Sequence, residues 1–272
     1  MTTITETPQN TSPDTGADTA PKRAQRLIAV ASGKGGVGKT WFSIGLAHAL
    51  SKLGKKVLLF DGDLGLANVD VQLGLMAKRD LSDVIEGNLG MARVIERHEE
   101  GGFDVIAGRS GQGALASLPL PRLQEIVEQL RMILKDYDAI IIDLGAGIDR
   151  TVRYMSACAD ATFVVSTDEP TSLTDAYAFI KLSHAAGHAD NIRIVVNQTG
   201  SEKEGQATYS TLSKACQNFL KFTPPLIGMI RLDKRVREAI RAQTLFLTRS
   251  PNTETAQDLE NIAAKVAQEI LA

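Results

Sequence analysis

The chain has little cysteine: Cys158 and Cys216 are its only two, and they lie too far apart to form a CxxC pair. That spacing argues against a disulfide framework or a cysteine zinc site, and fits two reduced apolar residues in a cytoplasmic protein. Net charge is also nearly absent. At −2 it gives no global pull toward nucleic acid or anionic lipid. No apolar run approaches the ~20 residues needed to span a bilayer. The amino terminus lacks the charged-then-apolar pattern of a secretion signal. What remains is ordinary for a globular protein: 272 residues, 43% hydrophobic and 23% charged, enough for one large α/β domain with a substantial core.

Residues 1 to about 24 differ in composition from the rest. Thr, Pro, Asp, Ser and Gly dominate there, and only Met1 and Ile4 are large and apolar. Such a segment cannot bury enough surface to offset its ordering entropy. It is expected to be a solvated tail, with a partner-binding arm as the alternative.

The most informative stretch is Gly33-Lys34-Gly35-Gly36-Val37-Gly38-Lys39-Thr40. It follows the strand-like Leu27-Ile28-Ala29-Val30-Ala31 and precedes a helical pattern of Ile44, Leu46, Ala47 and Leu50. Strand, glycine loop and helix are the context a phosphate-binding loop requires. Glycines leave no Cβ to block close approach, so consecutive N–H groups can turn toward one phosphate chain. The helix start adds unpaired amides and a positive dipole end. Lys39 has the length to reach β- and γ-phosphates, and the Thr40 hydroxyl suits a Mg²⁺ that keeps most of its waters. Glycine loops also join strands to helices for steric reasons alone; the surrounding pattern favours nucleotide.

Strands and helices then alternate: strands at 56–61, 103–107, 139–143, 162–167, 192–197 and 226–230, with a helix from Pro121 through Lys135. The nearly pure isoleucine run Ala139-Ile140-Ile141-Ile142-Asp143 reads as a central parallel strand covered on both faces. This alternation predicts a single α/β domain over residues 25–272, a mostly parallel sheet with right-handed crossovers and helices on both faces.

Two strand ends are acidic. Asp143 would emerge at the carboxyl edge of the sheet, where open α/β folds bind ligands, and could hold a Mg²⁺ water; a helix cap or turn is the plainer use. Asp61-Gly62-Asp63 ends the strand after the glycine loop. Two carboxylates near a Mg²⁺–phosphate complex can orient an attacking water or accept its proton, although such a pair also makes a good turn.

On these residues the chain resembles the MinD/ParA ATPases, P-loop proteins with a deviant Walker A loop whose extra lysine matches Lys34. The resemblance covers residues 26 to about 250. It implies a slow ATPase using ATP or ADP with Mg²⁺, in which Lys34 crosses to the other subunit's ATP in an ATP-dependent homodimer. Lys34, Lys39 and Asp63 would be catalytic, and Thr40, Asp61, Asp63 and Asp143 would serve the metal. Gly33 through Trp41 would hold phosphate, with Trp41 standing where many relatives carry a small residue. Asn197 matches a base-reading asparagine, though it is also a plausible cap, and Arg231 and Asp233 fall near the expected base pocket.

Three further runs are similar to the flagellar number regulators FlhG and FleN. They are Asp61 through Asp70, Leu81 through Gly87, and Asp168-Glu169-Pro170-Thr171 onward to Leu182; the run Asp233 through Ala239, with Gln243 beyond it, extends the match. The branch implies a master transcription activator, the FlhF-type GTPase and basal-body proteins as partners, with recruitment to a cell pole or the inner face of the membrane. The amino-terminal tail lacks the Asp-Gln-Ala motif that some relatives use on FlhF.

The other readings are a DNA-riding ParA-like partition or cargo-positioning ATPase and a MinD-type division-site regulator. An iron–sulfur carrier is disfavoured because neither cysteine falls in a switch region. Lys234, Arg237 and Arg241 share a helix face that could meet DNA, but interleaved acids favour a solvated face. The last helix, with Leu259, Ile262, Ala263, Val266 and Ile270 on one side, carries acids rather than lysines on the other. It is therefore expected to pack on the core and not to anchor stably in a membrane.

Overall fold

A computed structural model describes residues 26–108 and 118–272; the expected amino-terminal tail lies outside the described residues. Among the described residues, eight strands form one sheet in the order β3-β4-β2-β5-β1-β6-β7-β8. β1 (Leu27–Ser32), β2 (Val57–Gly62), β5 (Ala139–Ala146), β6 (Ala161–Ser166), β7 (Ile192–Thr199) and β8 (Leu226–Arg231) run parallel. β4 (Phe103–Ile106) pairs parallel with β2. The exception is β3 (Glu96–His98), a short antiparallel edge strand beside β4 that the alternation of apolar runs did not predict.

Successive strand residues point to opposite faces, and both faces are covered. Ile28 and Val30 of β1 and Ile141 of β5 face one layer, made by α1 (Lys39–Lys52), α9 (Phe246–Arg249) and α10 (Glu254–Glu269). Leu27, Ala29 and Ala31, with Ile140 and Ile142, face the other, built from α4 (Leu120–Ile133), α5 (Arg150–Cys158), α6 (Pro170–Ala185) and α7 (Glu202–Leu220). This two-sided burial explains why the central strands are apolar throughout rather than alternating. Helices α2 (Val69–Leu73), α3 (Leu81–Ile85) and α8 (Lys234–Arg241) are short, and α2 contacts both α1 and α8.

The last helix packs as its apolar stripe requires: Leu259, Ile262, Ala263 and Val266 are buried against α1 and β8. Its side chains also grip the outer strand. Lys265 Nζ donates to the Leu226 carbonyl at 2.9 Å, Thr255 Oγ1 donates to the Arg231 carbonyl at 3.0 Å, and the Arg231 N–H donates to Asp258 Oδ2 at 3.0 Å. No helix among the described residues is long and apolar enough to cross a membrane.

Candidate functional site

β1 lies between β5 and β6, and the chain leaves it on one side for β2 and later on the other for β6. Such a switch point opens a crevice at the carboxyl ends of parallel strands. The loop from Gly33 to Gly38 fills that crevice and leads into α1. Gly36 and Gly38 take φ values of +82° and +86°, which side-chain-bearing residues rarely adopt. No side chain caps α1, so its first amides are left for a ligand.

Sheet register sets the acids. Asp61 of β2 pairs with Asp143 of β5, and Val30 of β1 flanks Asp143 on its other side. Asp143 is almost wholly buried and gathers the α1 start around it. It accepts from Lys39 Nζ at 3.1 Å, Thr40 Oγ1 at 2.7 Å and Ser43 Oγ at 2.8 Å. Ser43 was not foreseen, although it lies one helical turn after Lys39 and Thr40 and so shares their face. Thr40 and Asp143 thus present adjacent hard oxygens, a donor set that fits Mg²⁺ completed by water and phosphate oxygens.

Asp61, also expected to serve the metal, has its oxygens turned to the backbone. It is fully buried, and its oxygens accept the backbone N–H groups of Asp63 at 3.2 Å and of Asn68 and Val69 at 3.0 Å each. Those bonds fix the loop that returns from β2 and the start of α2. Burial, and next the neighbouring Asp143, push its carboxyl up to about 7, against the pull of the three amides. Asp61 is an anchor behind the site. Asp63 instead lines the open cavity, with Oδ1 accepting the Leu66 N–H at 3.0 Å. A Cβ added to Gly145 would stand 3.4 Å from its carboxylate, so the end of β5 passes close by.

The two lysines of the loop part company. Lys39 is buried on Asp143, whereas Lys34 sits at the rim, its ammonium bound to Glu169 and, at 2.9 Å, to Thr171 Oγ1. Both partners belong to the start of α6, within a run already singled out, but their contact with Lys34 spans more than a hundred residues and has no local signature.

Two adjoining cavities meet at the loop. One, of about 390 Å³, is lined by the loop from Lys34 to Trp41 together with Asp63, Leu66 and Gln72. The other, of about 190 Å³, is walled by Asn197, Gln198, Leu232, Asp233, Val236 and Ile240. The first has the donors for a phosphate chain; the second is more apolar, as a nucleoside pocket should be. Asn197 is buried, and its Nδ2 donates to the Val37 carbonyl at 2.8 Å, which leaves its oxygen as an acceptor. Gln198, also unforeseen, takes a positive φ of 59° beside it. Asp233 caps α8, accepting the Arg235 N–H at 2.9 Å, and its bonds to the Arg235 guanidinium lower its pKa. Arg231 borders this cavity, but its guanidinium is spent on α10, donating to Asp258 Oδ2 at 2.9 Å and Oδ1 at 2.6 Å and pairing with Glu254. Reading a base with that guanidinium would require breaking those bonds.

Trp41 separates the cavities from the core. Its ring meets Phe246 of α9 edge to face, with centroids 5.5 Å apart, so it packs toward α8 and α9 of its own chain. Its Nε1 is buried without a hydrogen-bond partner among the described residues.

The chain matches the CobQ/CobB/MinD/ParA nucleotide binding domain over residues 28–246. It is 37% identical to the antiactivator FleN of Pseudomonas aeruginosa over 241 residues, 89% of this chain and 86% of that one. It is 32% identical to the flagellum site-determining protein YlxH of Helicobacter pylori, over 90% of this chain and 83% of that one. Among solved structures, the septum site-determining protein MinD from Pyrococcus horikoshii, in complex with Mg-ADP, aligns with a TM-score of 0.76. The identity is 26%, over 91% of this chain and 98% of that one.

Proposed function

This chain belongs to the CobQ/CobB/MinD/ParA family of nucleotide-binding domains, and on that premise we propose that it is an ATP-dependent dimerisation switch controlling flagellum number, placement or gene expression. It is an ATPase, and its cofactors are ATP or ADP with Mg²⁺. The flagellar assignment is supported by likeness to FleN and YlxH along most of the chain. A master transcription activator, an FlhF-type GTPase and basal-body proteins are its proposed partners.

The observation that carries the switch is the separation of the loop's lysines. Lys39, held on Asp143 beside Thr40, is positioned to neutralise phosphate charge in its own site. Lys34 is held at the rim by groups that a partner's phosphates could replace. Thr40 and Asp143 would hold a Mg²⁺ ion, which when bound would supply charge neutralisation to the phosphates. Asp63, at the cavity mouth, orients an attacking water or takes its proton. The loop amides and the uncapped start of α1 hold the phosphates in line.

ATP with Mg²⁺ should convert monomer to dimer, and ADP should not. Lys34→Ala should keep ATP binding, since Lys39 and the loop amides remain, yet lose the dimer. Size-exclusion chromatography with light scattering measures this; a nucleotide-independent dimer of unchanged strength in the mutant would sink the reading. A DNA-riding role has one supporting observation, the exposed Lys234, Arg237 and Arg241 on α8. Salt-sensitive retention of the ATP-bound form on DNA would favour it.

A further inference from the structure

The loop holding Asp63 leads into α2, and that helix is gripped from outside at both ends. Five residues make too few internal hydrogen bonds for a helix to persist alone in water, so its terminal groups need partners. At the amino end, Asp61 Oδ2 accepts the Asn68 and Val69 N–H groups. At the carboxyl end, the Val71 carbonyl accepts a hydrogen bond from Gln243 Nε2 at 2.8 Å, across 172 residues of chain.

Gln243 is an unexpected residue for its backbone. It ends α8 with φ at 52°, where helices usually place glycine or asparagine. The surrounding turn is complete: the Gln243 N–H donates to the Ile240 carbonyl at 3.1 Å and the Thr244 N–H to the Ala239 carbonyl at 3.0 Å. Residues in such conformations persist where their surroundings hold them. Here the side chain supplies the reason. Its amide reaches Val71, and its Cβ would stand 3.2 Å from a Cβ added to Gly74, the left-handed end of α2 with φ +63°. Two left-handed helix ends nest against each other, tied by one amide.

The opposite end of α8 belongs to the nucleoside cavity, lined by Asp233, Val236 and Arg237, and Ile240, one turn before Gln243, lines it too. Ile240 also lines the phosphate cavity together with Asp63. α8 therefore spans from the base to α2. We infer that Gln243 is a positioning residue for hydrolysis: its bond to Val71 carries the position of α8, set by the bound base, to the loop holding Asp63. The inference rests on the ATPase reading above.

Two variants of the full chain test it. Gln243→Gly suits the positive φ and removes the amide; Gln243→Glu keeps the size but turns an acceptor toward the Val71 carbonyl. In both, kcat for ATP should fall by about tenfold, the scale of one lost hydrogen bond, with KM within about twofold. Gln243→Gly should unfold at or above the wild-type temperature. Inorganic tripolyphosphate, which fills the phosphate cavity without a base, supplies the readout that a merely structural role would not move. The wild type should turn over ATP faster than tripolyphosphate, and the variants should lose that advantage because only ATP turnover falls. Wild-type kcat in Gln243→Gly, or an equal fall with both substrates, overturns the inference. If the wild type hydrolyses neither, the ATPase reading has failed, and amide exchange across α2 decides the coupling. ATP should then slow exchange in the wild type but not in Gln243→Gly, and equal protection in both overturns it.

Discussion

Replacing Gly38 by alanine separates two contributions to the shape of the phosphate loop. Gly38 has φ +86°, where an L-residue costs roughly 1–2 kcal/mol. The new methyl would also stand 2.5 Å from Asn197 Nδ2 and 3.4 Å from Gln198 Nε2. Asn197 is only 3% exposed and donates to the Val37 carbonyl at 2.8 Å. Its amide therefore cannot swing aside without leaving a buried carbonyl unmatched, at about 1–3 kcal/mol. Together these come to about 3 kcal/mol, or roughly 6–12 °C in Tm for a domain of this size. Two controls divide the sum. Gly54 has φ +79° with open space around its absent Cβ, so Gly54→Ala bears the backbone cost alone. Gly35 has open space and no positive φ, so Gly35→Ala should barely move Tm. Thermal unfolding without nucleotide should rank destabilisation as Gly38, then Gly54, then Gly35. ATP binding by calorimetry should weaken about tenfold or more in Gly38→Ala, equivalent to about 1.4 kcal/mol. If Gly38→Ala melts with Gly54→Ala, the Asn197 contact is wrong; if it melts with Gly35→Ala, so is the strain.

Three other outcomes follow from the same geometry. Asp63→Ala should leave ATP bound while phosphate release falls about 10²-fold or more; release at the wild-type rate would remove Asp63 from the chemistry. Trp41 fluorescence should change on nucleotide addition, because its ring borders both cavities, and a flat titration with binding confirmed independently would contradict that. Burial, chiefly, holds the His48 imidazole down to about 4. Since the folded state favours neutral His48, its contribution is full above about pH 6.5 and is lost as pH falls from there toward 4, by at most about 3 kcal/mol. His48→Gln should flatten this acid limb of stability measured by urea titration, and an unchanged pH profile would show that His48 is not its source.

Much of the fold was legible because its signals are local. The isoleucine run of β5 and the glycine loop between β1 and α1 each report their own conformation within a few residues. β3 was missed because three residues, Glu96-Arg97-His98, are too few and too polar to carry a period. α3 depends on the reciprocal capping of Asp80 and Asp83, and α2 on Asp61 and Gln243, so neither declares itself by hydrophobic spacing. The site was legible to the same depth. Lys39, Thr40 and Asp143 meet as the loop and strand-end motifs imply. Asp61 and Asp143 look alike as acidic strand ends, yet a loop folds its amides over one and leaves the other to the side chains of α1. Arg231 shows the same limit: its orientation is decided by Asp258, 27 residues later.

The grip of α10 on β8 also bears on how the outer edge of the sheet is closed. β8 ends the sheet, and a bare outer strand is a template for strand addition by a second chain. Lys265, Thr255 and Asp258 bond two of its carbonyls and one amide at its two ends, so these groups are not open to a second strand. Clipping that helix would bare the outer strand and also strip from α1 the apolar cover that Leu259, Ile262 and Val266 provide.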